Sequence, residues 1–232
     1  MPLETAATRV AALIVAAGSS TRMNGVDKTL APLAGVPLIA RTVEVFERCE
    51  HVGSVVLMVS LDGLAAVAGL SKERGWRKVT AILPGGVRRQ DTVQLGLQAL
   101  PGECEWVVVH DGARPLVSGT LVEAGLAAAQ VTGAAIAAVP VKDTVKAVTG
   151  EGLVVQTMDR SKLVQVQTPQ VFRRDLLQRA HREVTDDVTD DAAMMERLGI
   201  EVRVFPGEHA NIKVTTPEDL TVAEALLAAR GK

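Results

Sequence analysis

Residues Val10 to Lys28 read VAALIVAAGSSTRMNGVDK, an apolar run that passes without a polar spacer into small residues, a glycine turn and basic side chains. An apolar run of this kind, Val10 to Val15, predicts a strand buried on both faces, as in parallel sheets covered by helices. Similar runs recur at Ser54 to Val59, Val79 to Leu83, Trp106 to Val109 and Ala134 to Val139. Between the first two, Val36, Ile39, Val43 and Phe46 share one helical face while Arg41, Glu44 and Arg48 can face water. Val122, Leu126 and Ala129 repeat the pattern after the fourth run. Strands alternating with amphipathic helices predict an α/β fold, a mostly parallel twisted sheet flanked by crossover helices.

In such sheets ligands bind beyond the carboxyl ends of the strands, which is where Ala16 to Lys28 lies. Small side chains at Ala16, Ala17, Gly18, Ser19 and Ser20 let backbone N–H groups approach an anion, and Arg22 and Lys28 add cations. The segment reads as a triphosphate cradle or, equally, as a glycine turn with two surface cations. Neither GxxxxGK[ST] nor GxGxxG is satisfied, which disfavours P-loop and dinucleotide readings. A second glycine turn, LPGGVRRQDTV from Leu83 to Val93, offers Gly85 and Gly86 for backbone contact with a planar base and Arg89 and Thr92 for polar contacts. Asp91 and Thr92 also suit helix capping. In VVVHDGARP, Val107 to Pro115, Asp111 ends a strand where a carboxylate would help hold Mg²⁺ against phosphate oxygens. Arg114 can hold a second anion or brace the loop, and His110 reads as a hydrogen-bonded structural residue.

The 232 residues are 47% hydrophobic, enough for one large core, so a single domain is expected over 1–232. No apolar run is long enough for a membrane span, and the N-terminus lacks signal-peptide regions, so the expected location is cytoplasmic. A net charge of -2, 2% aromatic residues and no tyrosine argue against a nucleic-acid surface. Cys49 and Cys104 form neither a zinc pattern nor a disulfide framework. Lys142 to Arg160 breaks the helical rhythm and reads as a hairpin arm, which a second copy of the chain would cover in a homodimer. Thr216, Pro217, Glu218 and Asp219 announce a C-terminal helix. The acids Asp186, Asp187, Asp190 and Asp191 follow Thr185 and Thr189 in tandem, which favours helix capping over metal binding.

Seven segments in this order resemble the cytidylyltransferases of the methylerythritol phosphate route to isoprenoid precursors: AAGSSTRM with Lys28, GGVRRQDTV, HDGARP, PVKDTVK, DRSKLVQVQTPQ, VTDDAAMME and NIKVTTPEDL. The resemblance runs from Val10 to about Ala228. It implies a Rossmann-like nucleotidyltransferase fold with an arm interlocking two subunits, CTP as co-substrate, and Mg²⁺ or another divalent cation. CMP would pass from CTP to a phosphate oxygen of 2-C-methyl-D-erythritol 4-phosphate. By motif, Ala16, Ala17, Gly18, Ser20, Gly85, Gly86 and Thr92 would contact CTP, Arg22 and Lys28 would grip its phosphates, and Asp111 would serve metal and substrate. Thr144 and Arg160 would reach the partner's site, while Arg114, Thr168, Thr189 and Lys213 would complete the polyol-phosphate pocket. The chain has Asp27 where the family often has proline, Gly112 where it has alanine, and Val164 where tryptophan is common. A ribitol 5-phosphate cytidylyltransferase would share the CTP motifs. A silent nucleotide-binding module is disfavoured by the presence of Arg22, Lys28, Asp111 and Lys213 together.

Overall fold

The computed structural model describes residues 9–18 and 29–230. In chain order the strands are β1 (Val10–Ala16), β2 (Pro32–Leu33), β3 (Val36–Pro37), β4 (Ser54–Val59), β5 (Val79–Pro84), β6 (Trp106–Asp111), β7 (Ala134–Pro140), β8 (Lys146–Val148), β9 (Val154–Thr157), β10 (Val164–Arg173) and β11 (Arg203–Pro206). The helices are α1 (Leu38–Arg48), α2 (Leu64–Arg74), α3 (Arg89–Gln98), α4 (Gly119–Thr132), α5 (Arg174–Glu183), α6 (Asp191–Arg197) and α7 (Pro217–Arg230).

Seven strands form one sheet in the order β11-β7-β10-β6-β1-β4-β5. β1 lies parallel between β4 and β6, and the β4–β5 and β7–β11 pairs are also parallel. β10 runs antiparallel between β6 and β7. The continuous apolar runs follow from burial on both faces: Val10, Ala12 and Ile14 pack with Ile39 and Phe46 of α1 and Leu126 of α4. Ala11 and Leu13 pack on the other face with Val93 of α3, Leu177 of α5 and Met195 of α6. Because the chain leaves β1 toward β4 on one side and later returns to β6 on the other, a crevice opens where β1 and β6 end.

Three expectations need correction. The first amphipathic helix begins at Leu38, not Val36, since Val36 pairs in β3 and Pro37 occupies the N-cap position. Arg41 does not simply face water: its guanidinium donates to the carbonyls of Leu33 at 2.7 Å and Ala34 at 3.1 Å, holding the β2–β3 turn. The sequence reading does not include β10 and β11, and β10 is a ten-residue interior strand between β7 and β6. Its QVQTPQ sequence carries polar residues and a proline, which usually argue against a central strand. The β10–β7 ladder shifts register between Val166 and Gln170, which accommodates Pro169. Within the segment read as an arm, β8 and β9 pair antiparallel as a separate two-stranded sheet.

α7 starts as its sequence suggests, with the Thr216 hydroxyl accepting from the Asp219 amide at 3.3 Å. The Asp219 carboxylate accepts from the amides of Thr215 and Thr216 at 2.8 and 2.9 Å and from the Thr215 hydroxyl at 2.8 Å. This cap seats Ala223 against Val214, one residue beyond Lys213. Asp219→Ala removes all three acceptor contacts and should lower unfolding free energy by about 1–2 kcal/mol. A urea midpoint equal to that of the parent would show that the cap is dispensable.

Candidate functional site

Two cavities meet at the carboxyl ends of β1 and β6. The first, about 490 Å³, includes Ala16, Ala17 and Gly18 after β1, Gly85, Gly86, Arg89 and Thr92 around the β5–α3 turn, and Asp111 and Lys213. The second, about 430 Å³, includes Arg114, Thr168 and Thr189. Arg89, Asp111 and Lys213 line both cavities and form the wall between them. Both volumes suit small ligands. Thr144 and Arg160 line neither cavity and are exposed near the β8–β9 hairpin. Ser20, Arg22 and Lys28 lie outside the described residues.

Asp111, the last residue of β6, is nearly buried among three cationic side chains. Lys213 Nζ is 2.9 Å and Arg114 Nε 3.5 Å from Oδ2, while Arg89 Nε is 3.7 Å from Oδ1. Burial pushes the carboxyl pKa up, but Lys213, Arg89 and Arg114 together outweigh it and hold the group well below the usual carboxylate range. The cluster carries more positive than negative charge, so the wall between the cavities is suited to anions. Among the described residues no group of three or more His, Cys, Asp and Glu side chains forms a metal cage. Mg²⁺ does not require one: one or two carboxylates with substrate phosphates and waters are its usual environment, and Asp111 lines both cavities, with Oδ1 3.7 Å from Arg89 Nε.

Several side chains assigned to ligands also hold the site's own backbone. The Thr168 hydroxyl accepts from the Asp111 amide at 3.0 Å and lies 3.1 Å from His110 Nδ1. The other imidazole nitrogen, Nε2, lies 3.2 Å from the Arg114 carbonyl. A carbonyl can only accept, so Nε2 carries the proton and Nδ1 accepts from Thr168. His110 is thus the structural residue expected of it, and burial pushes its pKa down to about 4. Arg114 Nη1 donates to the Asn211 carbonyl at 2.8 Å, so it braces the Lys213 segment.

Both glycine amides of the β5–α3 turn are used within the protein. The Gly85 amide donates to the Val59 carbonyl at 2.9 Å, and the Gly86 amide to the Thr92 hydroxyl at 3.0 Å, so neither N–H is free for a base. Glycine is required for packing: a Cβ at Gly85 would stand 2.2 Å from Ala17 Cβ, and one at Gly86 would stand 2.5 Å from Asp91 Cβ. The two loops therefore touch, and Ala17, Gly85 and Gly86 all line the first cavity. Asp91 caps α3 from inside the first turn, accepting from the Arg88 amide at 3.1 Å.

The acidic cluster divides in three. Asp190 caps α6, accepting from the Ala193 amide at 3.0 Å. Thr189 therefore lines the second cavity without capping, and Thr185 precedes no helix. Asp186 is exposed and pairs with Arg197 at 3.1 Å. Asp191 turns inward, fully buried, with Arg89 Nη1 at 2.6 Å from one oxygen and His181 Nε2 at 3.2 Å from the other. Nothing in the tandem VTDD repeat separates Asp191 from its neighbours, so sequence reasoning missed this role.

Residues 10–229 match the family model described as 2-C-methyl-D-erythritol 4-phosphate cytidylyltransferase. A protein of that name from Dehalococcoides mccartyi is 51% identical over 94% of this chain and 96% of its own length. Another from Geobacillus kaustophilus is 47% identical over 94% and 97%. A crystal structure of 4-diphosphocytidyl-2C-methyl-D-erythritol synthase from Anaerococcus prevotii superposes with a TM-score of 0.85 at 28% identity, covering 96% of this chain and 97% of that one. The Thermus thermophilus cytidylyltransferase structure gives 0.75 at 33% identity over 93% and 98%.

His110 makes the site's stability pH-dependent. Its folded pKa of about 4 lies below the unfolded value of about 6.5, so the unfolded chain binds the proton more tightly. The contribution is fully present above the unfolded pKa and is lost as pH falls toward the folded one. Unfolding free energy should drop by about 2 kcal/mol between about pH 7 and pH 5. Urea titrations of the parent and of His110→Asn check this; an equal drop in the variant would remove His110 as the cause.

Proposed function

The chain belongs to the 2-C-methyl-D-erythritol 4-phosphate cytidylyltransferase family, and we propose that its two cavities hold the two substrates of that reaction on either side of the Arg89–Asp111–Lys213 wall. The enzyme performs CTP-dependent cytidylyl transfer in isoprenoid precursor biosynthesis. The observation that carries the assignment of sites is this shared cationic wall, because both reactants are anionic at the atoms that must meet.

CTP occupies the first cavity, its base toward the Gly85–Gly86 turn and its phosphates toward Ala17 and Gly18, and by their motif Arg22 and Lys28 would supply cations to those phosphates. The sugar-alcohol phosphate occupies the second, beside Arg114, Thr168, Thr189 and Lys213. A phosphate oxygen of the alcohol attacks the α-phosphorus of CTP in line. The new P–O–P bond forms as the bond from the α-phosphorus to the bridging oxygen breaks, and pyrophosphate leaves with that electron pair. No proton must be removed from an ionised phosphate oxygen, so His110, buried and neutral, has no base to play. Lys213 and Arg89 offset charge between the reactants, and Arg114 fixes the Lys213 segment. Mg²⁺ held by Asp111 would neutralise phosphate charge and favour the departure of pyrophosphate.

We further propose a homodimer. Val148, Leu153, Val154 and Val155 on the β8–β9 hairpin are 57–66% exposed, and Val164 and Val166 continue the apolar surface at its base. A two-stranded hairpin is marginal alone, and a second copy would cover it. The exposed Thr144 and Arg160 would then face the neighbouring cleft. We place the enzyme in the cytoplasm as one domain; among the described residues no helix is long and apolar enough to cross a membrane, and both thiols are buried and unpaired.

Purified protein with Mg²⁺, CTP and 2-C-methyl-D-erythritol 4-phosphate should release pyrophosphate with kcat/KM at least about tenfold above that for ribitol 5-phosphate. The reverse preference would establish the ribitol reading. Mixing inactive Arg160→Ala and Lys28→Ala subunits should restore activity if those residues serve one site from two chains. Silence in demonstrably mixed dimers would rule out a shared site.

A further inference from the structure

Asp191 is the first residue of α6, fully buried, and lines neither cavity. A lone buried carboxylate is costly in a protein interior. Burial alone would raise its pKa, but Arg89 and His181 reverse the effect and hold it low. Three elements converge to build this pairing: Arg89 opens α3, Asp191 opens α6 and His181 lies in the last turn of α5.

The pairing has a direction. Asp191 engages Arg89 through Nη1 at 2.6 Å, while the Nε edge of the same guanidinium stands 3.7 Å from Asp111 Oδ1 at the wall between the cavities. A guanidinium is a planar fork of five donors, so a carboxylate gripping one corner fixes where the other edges point. An unanchored arginine would lose much of its rotamer freedom each time it met a substrate. One held from behind by a buried carboxylate, itself held by an imidazole, is already oriented when charge builds at the reacting phosphorus.

We propose that Asp191, supported by His181, is a positioning residue that aims the Arg89 guanidinium at the junction of the CTP and sugar-phosphate cavities. This rests on the two-cavity reading given above. Asp191 acts only through Arg89, so its contribution to turnover disappears when Arg89 is gone. A carboxylate that merely stabilised α6 would affect activity regardless of residue 89, or only through loss of folded protein.

The test is a double-mutant cycle on the full-length enzyme, reading kcat and KM for CTP by pyrophosphate release, with thermal unfolding recorded for each variant. Arg89→Ala and Asp191→Asn should each lower kcat/KM by about tenfold or more, and the double variant should match Arg89→Ala within about twofold. Activity of Asp191→Asn or Arg89→Ala within twofold of the parent would overturn the proposal, as would full additivity. If Asp191→Asn alone does not fold, the comparison of Arg89→Ala with the double variant decides, since both members of the buried pair are then removed. Equal activities support the proposal and a further tenfold loss refutes it. A parent enzyme silent with both substrates overturns the functional reading and this inference together, whereas an active parent with additive variants overturns this inference alone.

Discussion

A carboxylate surrounded by three cations organises the molecule around its chemistry. Asp111 at the end of β6 draws Lys213 from the C-terminal segment, Arg114 from its own loop and Arg89 from α3. Its amide is received by Thr168 of β10. Four parts of the chain, distant in sequence, are thereby fixed against one another. Remove the carboxylate charge and three cations would face each other in a poorly solvated cleft. Keep it, and the surplus positive charge remains available to anionic ligands.

The support behind this cluster is built from groups with no room for error in protonation. His110 accepts from Thr168 on one side and donates to Arg114 on the other, which only the neutral ring with Nε2 protonated can do. On the opposite side Asp191 must stay ionised to pair with Arg89. Acid conditions therefore strain both supports, the imidazole first and the carboxylates further down the pH scale.

Much of the scaffold was legible because burial on both faces leaves an unambiguous trace. The runs at Val10, Ser54, Trp106 and Ala134 are interior strands, almost wholly buried, and the Val79 run, half-buried at the sheet edge, keeps the same short apolar pattern. β10 was hidden because its polar residues are used inside the sheet: Gln170 donates to Asp190, Gln167 to the Glu208 carbonyl, and Thr168 serves two partners. Polar residues satisfied by distant segments look like a loop in one dimension. The candidate site was legible as motifs, which located Asp111, Lys213 and the glycine turn. The division of labour was not, since a sequence does not reveal that the Gly86 amide is occupied by Thr92 or which of four aspartates turns inward.

The placement of β10 bears on how the protein comes into being. It is synthesised after both of its neighbours, β6 and β7, yet lies between them. A nascent chain that has emerged only as far as the β8–β9 hairpin has strands belonging to both parts of the sheet but nothing to join them. Two strand edges face an empty slot, the arrangement most open to wrong pairing. Insertion of the late strand closes that slot and delivers Thr168 to His110 and Asp111 in the same motion. Sealing the sheet and walling the second cavity with Thr168 are thus one event on the ribosome's timetable, whereas the first cavity draws its lining from residues 15–113 and waits only for Lys213.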